Sequence, residues 1–380
     1  TALARVWVTH GERALAAPKI ALAGVVTLAC GAATLLLPYR PTLNFNQSTL
    51  ADAELLYHAE GVQNTIDVVR SPSGATSLVI GGNVEADNGY RQRRHFVLKG
   101  HLPLMLMEAP KSVLVVGLGM GITLQTTTRH PGLERIDVIE LSPDILAAQA
   151  HLADLNGNVV ANPLVHVRID DGRLFMKMST ARFDMITADP IHPKISRVGY
   201  LYTREYYESI RARLADGGVV CQWMPIYQIA PLRLRSAIKT FLEVFPNATL
   251  WYVEGHALLV ARQGASAIDY GLLAQKFENP RIREDLASID IRSPEELLSH
   301  LLMGPAEIRA YVEDAANVPL NTDDYPYLEY FVPRDLFHTT ADNVREFAAH
   351  LADPAELVAN LPADAAERLA ALSRDRLPRR

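Results

Sequence analysis

Apolar and polar positions change rhythm several times along the chain. From Ile20 to Leu37 no residue is charged, and Arg13, Lys19 and Arg40 bracket the run. As a helix these eighteen residues would span about 27 Å, close to the ~30 Å hydrocarbon core of a bilayer. This predicts a transmembrane helix, with residues 1–40 as a membrane anchor. A cleaved signal peptide fits less well, because no small-x-small site follows the run. A buried hairpin is the remaining alternative. Pro38 and Pro41 then break the helix. In residues 41–110, Gln63–Val69 alternates, Ser71-Pro-Ser-Gly74 supplies a turn and Thr76–Ile80 returns, which predicts a β-hairpin in a small β-rich subdomain. Arg91–Met107 reads as a helix leading inward.

Between 111 and 264 the pattern becomes strand–helix alternation. Short apolar runs predict strands at Val113–Val116, Ile136–Glu140, Val165–Ile169, Phe183–Ala188, Val219–Trp223, Thr249–Val253 and Ala257–Ala261. Helices fill the gaps, among them Pro143–Leu155 and Thr203–Leu214. Successive βα units closed by a tight strand pair predict an α/β fold, a Rossmann-like doubly wound sheet with an antiparallel edge. Residues 265–380 read as a helical C-terminal region, interrupted by Asn321-Thr-Asp-Asp-Tyr-Pro-Tyr-Leu-Glu-Tyr330.

Composition narrows the function classes. The 380 residues are 49% apolar and 21% charged, a globular balance, and the net charge of −6 without a basic block argues against a nucleic-acid partner. Two cysteines, Cys30 and Cys221, give neither a disulfide framework nor a metal site, and the histidines show no metal-ligand spacing, so no metal is expected. Arg5, Arg13 and Lys19 outnumber Arg40, which by the positive-inside rule alone would send the C-terminal part outward. Nucleoside chemistry requires the cytosol. Starting at Thr1, the chain reads as a piece of a longer polytopic protein whose earlier spans set a cytosolic orientation, at the cytoplasmic membrane.

The chemistry concentrates at the strand ends. Val113-Leu-Val-Val-Gly-Leu-Gly-Met-Gly121 is a buried strand followed by a tight turn into a helix, and Glu140 closes the next strand nineteen residues later. The third strand ends in Asp170-Asp171-Gly172, the fourth in Asp189-Pro-Ile-His-Pro193 and the fifth in Gln222. In an open parallel sheet ligands sit beyond these ends. The array suits a purine nucleoside with a charged tail: the turn at Gly117, Gly119 and Gly121 takes the tail, Glu140 the ribose hydroxyls and Asp171 the exocyclic amine of adenine. No Walker lysine follows the glycines, and the carboxylates disfavour phosphates. That favours S-adenosylmethionine or a relative over a dinucleotide, with a Rossmann oxidoreductase as the alternative.

From Leu55 to Arg262 the sequence resembles the spermidine synthase (polyamine aminopropyltransferase) family of the class I S-adenosylmethionine-dependent transferases. The motifs that carry the likeness are Gly-Val-Gln63-Asn-Thr-Ile-Asp-Val, His101-Leu-Pro-Leu104, the glycine turn, Val-Ile-Glu140, Asp-Asp171-Gly172, Ile-Thr-Ala-Asp189-Pro-Ile-His-Pro193 and Gly-Gly-Val-Val-Cys-Gln222. The apolar N-terminus and Asn321-Thr-Asp-Asp324 look like the branch fused to membrane spans. The resemblance implies polyamine biosynthesis, with an aminopropyl-type group moving from an S-adenosyl donor to a small amine. Gln63 would touch the nucleoside, Glu140 the ribose and Asp171 the adenine, with Gly172 beside it. Asp189 would stand in the place of the catalytic aspartate.

The departures are specific. Met120 replaces the aspartate that grips the aminopropyl ammonium, His95-Phe96-Val97 replaces Tyr-His-Glu, and His192 replaces a second aspartate. Groups that hold a decarboxylated donor and a diamine are thus largely missing, which argues against putrescine as acceptor. Met120 would not repel the carboxylate of intact S-adenosylmethionine. Methyl or aminocarboxypropyl transfer is therefore the alternative chemistry, and a non-catalytic nucleoside-sensing domain the alternative class. His192 could act as a base, touch the acceptor or shape a loop. Gln222 and the tyrosines Tyr200, Tyr202, Tyr206, Tyr207 and Tyr227 are candidates for an acceptor pocket, although Tyr206 and Tyr207 also suit packing a helix on the sheet. Asp323 and Asp324 could meet a cation. The membrane, through Ile20–Leu37, is an expected partner, and a homodimer is compatible with this reading.

Overall fold

The computed structural model describes residues 13–36, 52–188, 190–264 and 267–375. The chain divides into two compact units, Thr1–Gln47 and Ser48–Arg380. The first unit holds one helix, α1 (Arg13–Leu36). It corrects the anchor expectation: among the described residues no helix is long and apolar enough to cross a membrane. Arg13 and Lys19 fall inside α1, and the helix is built largely of Ala, Gly and Thr rather than of large apolar residues.

The second unit opens with a four-stranded antiparallel meander, β1 (Glu54–Glu60), β2 (Thr65–Arg70), β3 (Thr76–Ile80) and β4 (Asn83–Asp87), in sequential order. The expected hairpin is its central pair, with Val68 opposite Leu78. Helix α2 (Tyr90–Met105) leads to β5 (Ser112–Val116). Then come α3 (Ile122–Thr127), β6 (Arg135–Glu140), α4 (Pro143–Ala148), α5 (Ala153–Asn156), β7 (Val165–Ile169), α6 (Gly172–Met178) and β8 (Phe183–Ala188). The chain continues through α7 (Arg204–Arg213), β9 (Leu214–Pro225), α8 (Pro231–Val244), β10 (Thr249–Val253) and β11 (His256–Arg262).

The C-terminal region is mostly helical, as expected, and includes α9 (Tyr270–Phe277) and α10 (Pro280–Ala287). It also returns strands: β12 (Ile268–Asp269) pairs with β14 (Val358–Ala359), and β13 (Leu301–Met303) joins the main sheet.

The main sheet runs β13-β10-β11-β9-β8-β5-β6-β7. Pairs from β7 to β9 are parallel, and β9–β11, β11–β10 and β10–β13 are antiparallel. This is the anticipated doubly wound sheet with an antiparallel edge. Both faces are covered, which is why its strands read as continuous apolar runs. Val113, Val115 and Trp223 pack with α2 and α3 on one face, whereas Leu114, Val116 and Met224 pack with α7 and α8 on the other. Because β5 lies between β6 and β8, the winding reverses between β5 and β8, and a crevice opens beyond the strand ends there.

Candidate active site

The turn after β5 is held by side chains from the next crossover. Gln149 donates to the Gly119 carbonyl at 2.8 Å, and Asn156 donates to the Met120 carbonyl at 3.0 Å and to Gln149 Oε1 at 2.9 Å. Gly121 lies in the left-handed region (φ 76°), and a Cβ there would stand 2.8 Å from Asn156 Nδ2 and 3.0 Å from Gln149 Oε1. Gly121→Ala is therefore expected to cost about 1–2 kcal/mol from the backbone conformation alone, read as a lower urea midpoint with an unchanged m-value.

Glu140 is buried and links the two strand ends. Its Oε2 accepts from Leu118 N–H at 2.8 Å and its Oε1 from Ser142 N–H at 2.8 Å. Glu140 and the glycine turn are thus brought together as expected. Asp170 N–H donates to the Glu140 carbonyl at 2.9 Å, setting the β7 end beside the β6 end. There Asp171 caps α6 through Oδ1, accepting from Arg173 and Leu174 N–H at 2.8 and 3.1 Å. Gly172 starts α6 against Val116 of β5. Gln63 lies exposed in the β1–β2 turn. That turn closes on the start of α4, where a Cβ on Gly61 would meet Asp144 Oδ2, so Gln63 arrives on the Glu140 edge. Asp189, which follows β8, lies outside the described residues.

A cleft of about 500 Å³, open mouth included, sits over the β5/β8 reversal. The meander contributes Leu78, Ile80, Glu85 and Ala86, and α2 contributes Gln92, His95 and Phe96. Gly119 and Met120 come from the glycine turn, Pro190, Ile191 and His192 from the segment after β8, and Trp223, Tyr227 and His256 from β9, the segment after it and β11. Of the five candidate tyrosines only Tyr227 lines the cleft; Tyr202, Tyr206 and Tyr207 are fully buried in the core on the α7 face. Gln222 is also buried, in register with Ala188. Its Nε2 donates to the Trp223 carbonyl at 3.2 Å, and its Oε1 has no hydrogen-bond partner. It alternates with Trp223 along β9 and so points away from the cleft-lining face.

His192 is a pin rather than a base in this arrangement. Its Nδ1 accepts Lys194 N–H at 3.0 Å, which leaves the proton on Nε2 to be donated to the Tyr227 carbonyl at 2.8 Å. Burial pushes its pKa down to about 4. The neutral ring therefore ties the segment after β8 to the segment after β9. Tyr227 packs 5.1 Å from the His192 ring, and burial together with the nearby Glu85 charge raises its phenol pKa.

Several cleft residues carry no motif and escaped the sequence reading. His95 and His256 stack at 3.9 Å, and His256 Nδ1 accepts from the Trp223 indole at 3.1 Å. Burial holds His95 well below the ordinary histidine range and His256 at about 3, so both rings are neutral. Lys99 is fully buried below them, its ammonium 5.1 Å from the Phe96 ring. Glu85 reaches the cleft from β4; burial raises its pKa, opposed by the Lys194 charge and by a hydrogen bond from the His192 backbone N–H. No sequence signal marks Glu85: its neighbours Val84 and Ala86 are both apolar, yet the first is exposed and the second buried.

The Asn321–Asp324 stretch meets a cation of the chain itself. Arg173 donates to both Asp323 oxygens at 2.7 and 2.6 Å, and Thr203 adds a bond to Oδ1 at 2.8 Å. Asn321 is buried and donates to the Gly199 carbonyl at 2.9 Å. This loop therefore clamps α6 and the residues that precede α7. Among the described residues no group of three or more His, Cys, Asp or Glu could hold a metal ion.

A reversed α/β winding with a glycine turn, an acid at the second strand end and a cleft over the reversal defines the class I S-adenosylmethionine-dependent transferase fold. Residues 98–253 match the Spermine/spermidine synthase domain family. The spermidine synthase of Dictyostelium discoideum is 30% identical over 216 residues, 54% of this chain and 72% of that protein. The polyamine aminopropyltransferase of Nitrosomonas europaea is 29% identical over 229 residues, 56% of this chain and 68% of its own. A putrescine N-methyltransferase of Nicotiana attenuata is 28% identical over 170 residues, 44% of this chain and 45% of its own. Among solved structures, a spermidine synthase in complex with the transition state analogue AdoDATO superposes with a TM-score of 0.51 at 18% identity, covering 74% of this chain and 88% of that one. The chain belongs to the spermidine synthase family.

Proposed function

We propose that the protein transfers an aminopropyl-type group from a decarboxylated S-adenosyl donor to a small amine by in-line displacement. The observation that carries this reading is the cleft itself, which joins the glycine turn after β5 to the segment after β8 in a member of the spermidine synthase family. In the step, the amine lone pair forms a bond to the propyl carbon beside the sulfonium. The C–S bond breaks, and its electron pair stays on sulfur as methylthioadenosine. An alkylammonium of pKa about 10 must first lose a proton, and Asp189 is the residue proposed to take it. The apolar and neutral walls made by Phe96, Met120 and the His95–His256 pair exclude water from this path. We place the reaction in the cytosol, where S-adenosyl donors are made.

Met120 favours a second reading. It is buried and lines the cleft, where it would not repel the carboxylate of intact S-adenosylmethionine, and a relative is named for N-methyl transfer to putrescine. Incubation with S-adenosylmethionine or its decarboxylated form, with and without amines, followed by mass spectrometry separates the two. Methylthioadenosine released only with an amine is the expected result. S-adenosylhomocysteine would replace aminopropyl transfer with methyl transfer. Nucleoside binding without any product across the acceptor panel would leave a sensing domain.

A further inference from the structure

Two irregular segments bring residues to the cleft, 190–203 after β8 and 226–230 after β9. Both are held by residues between 321 and 343, beyond the stretch that matches the family domain. Glu329 sits in a short helical turn, Tyr327–Phe331. Its Oε1 accepts from Arg197 N–H at 2.6 Å and from the Ser196 hydroxyl at 3.2 Å, and its Oε2 from Gly199 N–H at 3.2 Å. Arg197 is thereby kept in the left-handed region (φ 72°), which a non-glycine residue holds only where its surroundings impose it. The contact is close enough to need glycine at 199, where a Cβ would stand 2.8 Å from the Glu329 backbone nitrogen. Nearby, Asp323 takes Arg173 and Thr203, and Asn321 takes the Gly199 carbonyl.

The second segment is tied in the same way. Asp335 accepts from Ala230 N–H at 3.0 Å, the His338 carbonyl accepts from Gln228 N–H at 2.8 Å, and buried Asn343 donates to the Ile226 and Ile229 carbonyls at 3.1 and 2.9 Å. The His192–Tyr227 pin then joins one segment to the other. We infer that Glu329 is a positioning residue for the transfer step: by fixing residues 196–199 it sets where Pro190–His192, and position 189 before them, stand against the glycine turn. This rests on the transferase reading above and goes beyond it. Glu329 is not among the residues that line the cleft, so it acts through the chain. Ile195 N–H bonds to the His192 carbonyl at 3.0 Å and Val198 N–H to the Ile195 carbonyl at 3.2 Å, so a shift at 197 is passed back toward 192 rather than absorbed. A carboxylate suits the task because both of its oxygens only accept, and bonds to an ionised acceptor are the stronger kind. Glutamine would turn an NH₂ group toward one of the donors.

The test measures methylthioadenosine release from decarboxylated S-adenosylmethionine and an amine panel by the full chain and by Glu329→Gln. Methylthioadenosine affinity, the urea midpoint and trypsin cleavage after Arg197 are read alongside. Glu329→Gln is expected to lower kcat by about 10²-fold, the scale of a roughly 1 Å misplacement of reacting groups. KM for the donor, methylthioadenosine affinity and the urea midpoint should stay close to wild type, while cleavage after Arg197 quickens. Asp323→Asn, which loosens the same segment at Thr203, should lower kcat in the same direction and serves if Glu329→Gln does not fold. Unchanged kcat in the variants beside an active wild type overturns the inference and leaves the transferase reading standing. A kcat loss that comes with equal losses in methylthioadenosine affinity and urea midpoint marks Glu329 as general support for the fold and overturns it as well. A wild-type chain that turns over no amine overturns the transferase reading, and the role of Glu329 in the step with it.

Discussion

Asp189→Asn is expected to lower turnover by roughly 10²–10⁴-fold, the usual span of a positioned general base, while methylthioadenosine affinity stays within a factor of about two. The argument starts from the acceptor. An amine with a pKa near ~10 is cationic at neutral pH and has no lone pair for attack. The group that takes its proton must sit beside the crevice between β5 and β8, where the donor carbon is presented. Position 189 directly follows Ala188, the last residue of β8, and precedes Pro190–His192, which line the cleft. The histidines of the cleft are poor substitutes. His192 has both ring nitrogens committed, and His95 and His256 are buried and neutral. Asparagine keeps the size of the side chain but cannot accept a proton, so the loss should appear in kcat and shrink as assay pH approaches the amine pKa. Full turnover by Asp189→Asn at pH 7 would remove the base from this position.

Much of this was legible because the chemistry sits at strand ends. Val165–Ile169, Phe183–Ala188 and Thr249–Val253 match the expected strands end for end, since strands covered on both faces advertise themselves as apolar runs. The glycine turn and Glu140 were legible for the same reason, being punctuation on those runs. What was hidden depends on tertiary placement. β4, Asn-Val-Glu-Ala-Asp, is too polar to read as a strand, and β13 is three residues long among helices; each forms only because a neighbouring strand offers an edge. Glu85 and His256 lie far from every motif, and only the folding of the meander and of β11 against β9 brings them to the cleft. The expected helix Pro143–Leu155 breaks into shorter turns, and the side chains of Gln149 and Asn156 from those turns hold the glycine turn. A run without charges is a weaker signal: its described part, up to Leu36, is a helix, but among the described residues no helix is long and apolar enough to cross a membrane.

Acidification from pH 7 toward pH 5 is expected to unfold the second unit. Burial depresses the pKa of His192 to about 4, His256 to about 3 and His300 to about 4, and it holds His95 and His130 well below the ordinary 6.5. In the unfolded chain each returns to about 6.5. Between 6.5 and 4, then, the unfolded state binds protons that the folded state refuses, and stability falls as pH falls. Each such histidine contributes a slope of about 1.4 kcal/mol per pH unit. His192, His256 and His300 together give on the order of 4 kcal/mol per unit, against a typical total stability of about 5–15 kcal/mol. The structure has little room to yield locally. His95 and His256 stack at 3.9 Å, so charging both would set two cations face to face. His130 shares a proton network with His101 at 2.9 Å, and His101 in turn meets Asp285 of α10 at 3.1 Å, which ties α2 to α10. Urea midpoints at pH 7.5, 6.5 and 5.5 should fall steeply over the last unit, and His256→Gln should flatten that fall. A midpoint that holds between pH 7 and pH 5 would mean that these rings take up protons in the folded state, and the neutral aromatic floor assigned to the cleft would have to be redrawn as a cationic one, unsuited to an amine acceptor.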